Sequence, residues 1–175
     1  MTRSLRRRRC AGAVALALLA LVLPGCARSL PGDEVARACR ATVAARWPAW
    51  QAPSVDPAVR AWSAQHGEDP TLAHGDFDDD GKPDAALLLR SSAEPGQFKI
   101  VVCLSSPVRD KLVVIDDLYC WDGITRMAKG DRYTDMTSFV EGVYPRDGIH
   151  AYCFEKAGAT YIFSAGVFTP IIDDD

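Results

Sequence analysis

The residues of this chain best suited to chemistry lie in one short stretch, Gly75-Asp76-Phe77-Asp78-Asp79-Asp80-Gly81-Lys82-Pro83-Asp84. Asp76, Asp78 and Asp80 alternate and Asp84 follows after a turn, so a chain that curls once can aim four carboxylates at a common centre. Gly81 permits the sharp bend, and the carbonyl of Lys82 can point inward as a fifth oxygen. Four carboxylates that close repel one another unless a cation sits among them. Calcium takes about six to eight oxygens in an adaptable geometry, which this set and water can supply. The predicted metal ligands are therefore Asp76, Asp78, Asp80, Lys82 and Asp84, with Ca2+ as the cofactor. The competing reading is a solvated acidic turn in which Asp-Gly and Lys-Pro serve only as turn chemistry.

The stretch opens like an EF-hand, but Leu87 stands inside an apolar run where that motif closes on a bidentate Glu, which argues against an EF-hand. It resembles instead the calcium loop of FG-GAP and VCBS repeats, Asp-x-Asp-x-Asp-Gly-x-x-Asp followed by an apolar strand. That resemblance implies side-chain ligation by Asp76, Asp78, Asp80 and Asp84 and backbone ligation by Lys82. A single copy is present, which excludes a propeller built of several blades. The layout as a whole is similar to uncharacterised bacterial lipoproteins and periplasmic proteins with one such loop, and that likeness implies no particular activity.

Other groups that could react are scattered. There is no Gly-x-Ser-x-Gly, His-Glu-x-x-His or Walker loop. His66, His74 and His150 lie in unlike settings, with His74 beside the acidic loop and read as surface decoration. Asp116-Asp117 and Asp122 are the nearest approach to a carboxylate pair for glycoside hydrolysis. Trp47, Trp50 and Trp62 fall near the helical segments and read as core or helix-docking residues, with a binding surface as the alternative. The expectation is a protein that is not an enzyme.

The head of the chain points to export. Arg3 and the run Arg6 to Arg9 precede an uncharged stretch, mostly Ala, Leu and Val, from Ala11 to Leu23, a basic n-region and an apolar h-region. The stretch is shorter than the about 20 residues a membrane-spanning helix needs. Leu23-Pro24-Gly25-Cys26 resembles the bacterial lipobox, which implies acylation of Cys26 and removal of residues 1–25. Several acyl chains would make the anchor durable, since one alone holds a protein only marginally. Ala27 follows where an Asp would retain a Gram-negative lipoprotein at the inner membrane. The expected place is the cell envelope, at the outer membrane facing the periplasm if the host is Gram-negative.

Loss of residues 1–25 removes five arginines and no acidic residue, leaving fifteen basic against 23 acidic side chains, a net charge of −8. Such a surface repels phosphate backbones, so nucleic acid is excluded as a partner and cations are attracted. Cys10 goes with the signal and Cys26 to lipid. Cys39, Cys103, Cys120 and Cys153 remain as disulfide candidates in any of three connectivities. They contain no Cys-x-x-Cys pair, so a zinc site or a redox centre is not indicated.

The elements that must position the acidic loop follow from periodicity. Val35, Cys39, Thr42, Val43 and Trp47 form a helical stripe behind the acidic Asp33-Glu34, ending before Pro48. A second helix is predicted from Pro57 to Gln65. Ala85 to Leu89, Phe98 to Leu104, Leu112 to Leu118, Ile149 to Glu155, Thr160 to Ser164 and Val167 to Ile172 read as strands. Asp122 to Asp147 reads as loop with short extended pieces. The fold class is α+β, with N-terminal amphipathic helices packed on one face of a mainly antiparallel β-sheet. The organisation is a signal peptide over 1–25, a tether over 26–32 and one domain over 33–175.

Three functions are consistent with this reading. The first is an envelope-tethered binding or structural module stabilised by calcium. The second is a metal-independent interaction protein or inhibitor of an envelope partner. The third is a hydrolase whose site the sequence hides. The partners are the membrane, through the N-terminal lipid, and an unidentified envelope protein or ligand.

Overall fold

The computed structural model describes residues 31–105, 111–118 and 120–173; the expected signal peptide, residues 1–25, and Cys26 lie outside them. Helix α1 spans Pro31–Arg46, starting ahead of the Asp33-Glu34 pair that signals it, and α2 spans Pro57–Gln65. Asp56 caps α2 by accepting the Ala58 N–H at 2.7 Å, and Pro57 fills the first turn, where no N–H is required. The rest is antiparallel sheet, so the class is α+β with β predominant.

The strands form two sheets where a single sheet was expected. The first is built on β3 (Asp84–Ser91), with β4 (Phe98–Leu104) and then β5 (Lys111–Ile115) on one side. Its other edge is shared by β1 (Trp50–Gln51) and β2 (Leu72–Gly75). The second runs in the order β6-β9-β10-β11-β7-β8. Its strands are β6 (Gly123–Met127), β7 (Arg132–Asp135), β8 (Val140–Val143), β9 (Gly148–Cys153), β10 (Ala157–Ser164) and β11 (Val167–Asp173). Three short strands, β6 to β8, therefore occupy the segment read as loop with short extended pieces. They are partly exposed, without the apolar alternation that marks a half-buried strand.

The continuous apolar run of β3 has a simple cause, because it is buried on both faces. Ala85, Leu87 and Leu89, with Val101 and Cys103 of β4, pack against Ala36, Cys39 and Val43 of α1. On the other face Ala86, Leu88, Ile100, Val102 and Leu104 meet Ile124, Ile149, Ala151, Ala159 and Tyr161 of the second sheet. Ala36 takes the inward place assigned to Thr42, which is exposed and bonds its hydroxyl back to the Ala38 carbonyl at 3.0 Å. Helix α2 does not share the face with α1. Its Val59 packs with Val55, Tyr152 and Phe154 on the outer side of the second sheet, giving a helix–sheet–sheet–helix stack.

Two cysteine pairs lie at disulfide distance, the first joining α1 to the first sheet. Cys39 of α1 meets Cys103 of β4 with Cα atoms 5.8 Å apart, and Cys120 meets Cys153 of β9 at 4.9 Å. Both separations suit a bridge, and they choose one of the three connectivities left open by the sequence. Among the described residues no helix is long and apolar enough to cross a membrane.

Candidate metal centre

The acidic loop connects two paired strands. Gly75 at the end of β2 sits opposite Asp84 at the start of β3, so residues 76–83 form the tip of a hairpin. Phe77 divides the aspartates on either side of it: its side chain is fully buried between the two sheets, which leaves Asp76 and Asp78 facing away from that core. Its ring folds back over Gly75, where a Cβ would lie 2.6 Å from Phe77 Cε1, so a larger residue at 75 would displace this anchor. Asp79 and Gly81 supply the left-handed backbone the bend requires, with φ of 63° and 82°.

Asp76, Asp78 and Asp84 each present a carboxylate oxygen, and these atoms all lie within 4.8 Å of one another. Asp84 is fully buried. One of its oxygens accepts the Phe77 N–H at 2.8 Å and the other the Ser105 N–H at 2.7 Å. Asp76 accepts the N–H groups of Asp80 and Gly81, both at 2.9 Å. Each carboxylate oxygen carries more than one acceptor direction, so these bonds orient the side chains without exhausting them. The donor set is all oxygen and anionic, which suits a hard cation such as calcium or magnesium over a soft transition metal.

The electrostatics favour a cation as well. Burial, followed by the nearby charges of Asp78 and Asp76, raises the Asp84 carboxyl to about 6 against the pull of its two backbone hydrogen bonds. Asp78 is also raised, chiefly by burial and then by the charges of Asp80 and Asp76. Asp80 does not join the group of three. Its carboxylate turns to Lys82, accepting the backbone N–H at 3.0 Å and lying 3.4 Å from the ammonium.

The second sheet braces the loop with residues that sequence reading missed. Asp147, just before β9, accepts the Asp76 N–H at 3.1 Å and the Lys129 N–H at 2.9 Å, and it pairs with Arg126 at 3.3 Å. Lys129 reaches Asp79 at 2.8 Å, which lowers that carboxyl's pKa, and Arg146 donates to the Asp78 carbonyl at 3.3 Å. These basic groups meet the outer aspartate, Asp79, and the backbone, leaving the convergent three without a direct ion pair from them. No local signal could have shown this, because Asp147 lies 71 residues from Asp76 in a segment without periodicity.

The other residues singled out by sequence are dispersed. His74 lies 3.8 Å from Asp33 of α1, and His66 bonds to the Trp62 carbonyl at 2.8 Å. His150 is buried within the second sheet. Asp116 pairs with Lys99, whereas Asp122 accepts the Phe154 N–H on the second sheet. Trp62 stands against Tyr152 and Phe154, apart from Trp47 and Trp50, which flank Lys99. Comparison with known proteins adds nothing to this geometry: no protein family, curated protein or solved structure matches the chain.

Proposed function

We propose that this protein is an envelope-tethered binding or structural module whose loop between β2 and β3 holds a calcium ion. The observation that carries the reading is the convergence of Asp76 and Asp78 on the buried Asp84. Three carboxylates within reach of one another, one of them sealed from water, are costly when all are charged. A divalent cation offsets that cost. Asp80, the Lys82 carbonyl and water would complete the shell, Asp80 by turning away from Lys82. Calcium is favoured over magnesium because the set is short of an octahedron and calcium accepts irregular shells. In this reading the ion stiffens the loop where β2 turns into β3, the strand buried on both faces. Cys26 supplies the tether.

A titration of the purified protein with calcium and with magnesium, followed by thermal unfolding and calorimetry, tests the proposal. Saturable calcium binding with a raised melting temperature is expected, with a much smaller response to magnesium. No binding and no stabilisation at several millimolar calcium would remove the ion from the account.

One observation favours a second reading, a metal-independent interaction module. The loop is already stitched by the N–H groups of Phe77, Asp80, Gly81 and Lys82 and braced by Lys129 and Arg146. An unchanged loop structure and stability in chelator would support it.

A further inference from the structure

A cleft of about 440 Å³ opens at the margin of the first sheet, away from the acidic loop, between the β3–β4 turn and the segment that follows β5. Trp121, 44 % exposed, forms part of its wall, an unusual place for so large an apolar surface. The ring is held rather than loose. It stacks on Phe98 with centroids 5.6 Å apart and planes 15° from parallel, and its neighbour Cys120 is buried at disulfide distance from Cys153.

Lys99 organises the opposite side. Its ammonium lies 3.9 Å from the centroid of the Trp50 ring and 3.1 Å from the Asp116 carboxylate, and its side chain is only 14 % exposed. A cation sandwiched between an aromatic face and a carboxylate fixes the rotamers of all three. Asp117 and Gln97, whose amide donates to Glu94, complete a polar rim. The cleft thus combines flat aromatic surface, acceptor carboxylates and one neutralised ammonium, with the Phe98–Trp121 stack and the Trp50–Lys99–Asp116 cluster in place before any ligand arrives.

From this juxtaposition we infer that the cleft is a binding site for a neutral saccharide. A pyranose ring presents one face of C–H groups and an equator of hydroxyls. The first matches the exposed Trp121 ring, and the second matches the acceptor carboxylates of Asp117 and Asp116 at the rim of the same cleft. An anionic ligand is disfavoured because two aspartates stand at the rim and the only described ammonium lining the cleft is paired with one of them. A purely apolar ligand would strand the same rim without partners. This site is independent of the calcium reading.

The probes are chitotetraose and cellotetraose, with a sialylated oligosaccharide as the anionic control, followed by backbone and indole NMR of the labelled protein. Saturable shifts of the Trp121 indole and of the Gln97 and Lys99 amides with at least one neutral oligosaccharide are expected. Trp121→Ala should weaken that binding by at least about tenfold, and Asp117→Asn should weaken it while leaving the amide spectrum otherwise unchanged. The Trp121 side chain is partly exposed, so the variant is expected to fold; should it not, Asp117→Asn and the shift map on the wild-type protein still decide the matter. Absence of shifts with both neutral probes at high millimolar concentration, shifts confined to another surface, or preference for the sialylated control would overturn the inference.

Discussion

His150 on β9 and Asp173 on β11 lie 3.4 Å apart across the intervening strand β10, both buried. Thr160 of β10 sits between them and donates to Asp173, and Tyr144 donates to the same carboxylate. Burial pushes the Asp173 carboxyl up, but the hydrogen bonds from His150, Thr160 and Tyr144, with the charge of His150, hold it below the ordinary carboxylate value. A depressed carboxyl contributes stability above its unfolded-state value and loses it as pH falls through its folded-state value. The protein is therefore expected to lose stability in acid through this group, and Asp173→Asn should flatten the acid limb while destabilising the neutral form by about 1–3 kcal/mol through lost charged hydrogen bonds. Urea unfolding from about pH 7 to about pH 3 checks both. Parallel profiles for the two proteins would contradict the assignment.

The pair Cys39 and Cys103 joins α1 to the face of the first sheet that it covers, across 64 residues of sequence. A bridge closing a loop of that length typically contributes about 2–4 kcal/mol. The double variant Cys39→Ala and Cys103→Ala should lower stability by roughly that amount and make α1 the first element to exchange its amide protons. Mass spectrometry of the oxidised protein should show the 39–103 and 120–153 peptides linked. Four free thiols, or the crossed pairing, would count against the structure here.

How much of this was legible in the sequence depended on where the relevant partners lie. Both helices and the strands β3, β4, β9, β10 and β11 carry their own signals: Pro57 after Asp56, the apolar run at Ala85 to Leu89, and Ala165-Gly166 in the turn between β10 and β11. β7 and β8 carry none, since Phe139, Val140 and Val143 are exposed and their pairing rests on the register of Arg132 with Val143 and Asp135 with Val140. The division into two sheets was hidden for a related reason. An apolar residue in β3 reads the same whether it faces α1 or Ile149, so periodicity gives burial but not the identity of the neighbour. In the acidic loop the sequence indicated the carboxylates and the turn. The brace by Asp147, Lys129 and Arg146 arises only when β6 and β9 are placed beside it.

The expected anchor is tested at Cys26, which lies outside the described residues. Cys26→Ser should abolish incorporation of labelled palmitate and leave the chain as unprocessed precursor or as soluble protein, because Cys10 precedes the apolar stretch and cannot take its place. Label persisting in the variant would refute the anchor, without bearing on the fold of residues 31–173.

In the proposed calcium site Asp78 should be a stronger ligand than Asp80. Asp78 belongs to the convergent group, and its carboxyl is raised by burial and by the charges of Asp80 and Asp76. A bound cation would relieve that cost directly. Asp80 stands outside the group with its carboxylate on Lys82, and what it gives Asp76 is a backbone N–H that survives truncation of its side chain. Asp78→Asn should therefore weaken calcium binding more than Asp80→Ala, although the aspartate spacing alone treats the two positions as equivalent. At a free calcium concentration about tenfold above the dissociation constant, binding stabilises the wild type by roughly 1.4 kcal/mol. Asp78→Asn should lose most of that increment, whereas Asp80→Ala should retain a measurable part and recover it at higher calcium. Without calcium, Asp78→Asn should be no less stable than the wild type, because it removes one of three crowded charges. Thermal titration of the three proteins decides the ranking. A greater loss in Asp80→Ala would mean that Asp80, once turned from Lys82, holds the ion more strongly than Asp78, and would overturn the ranking.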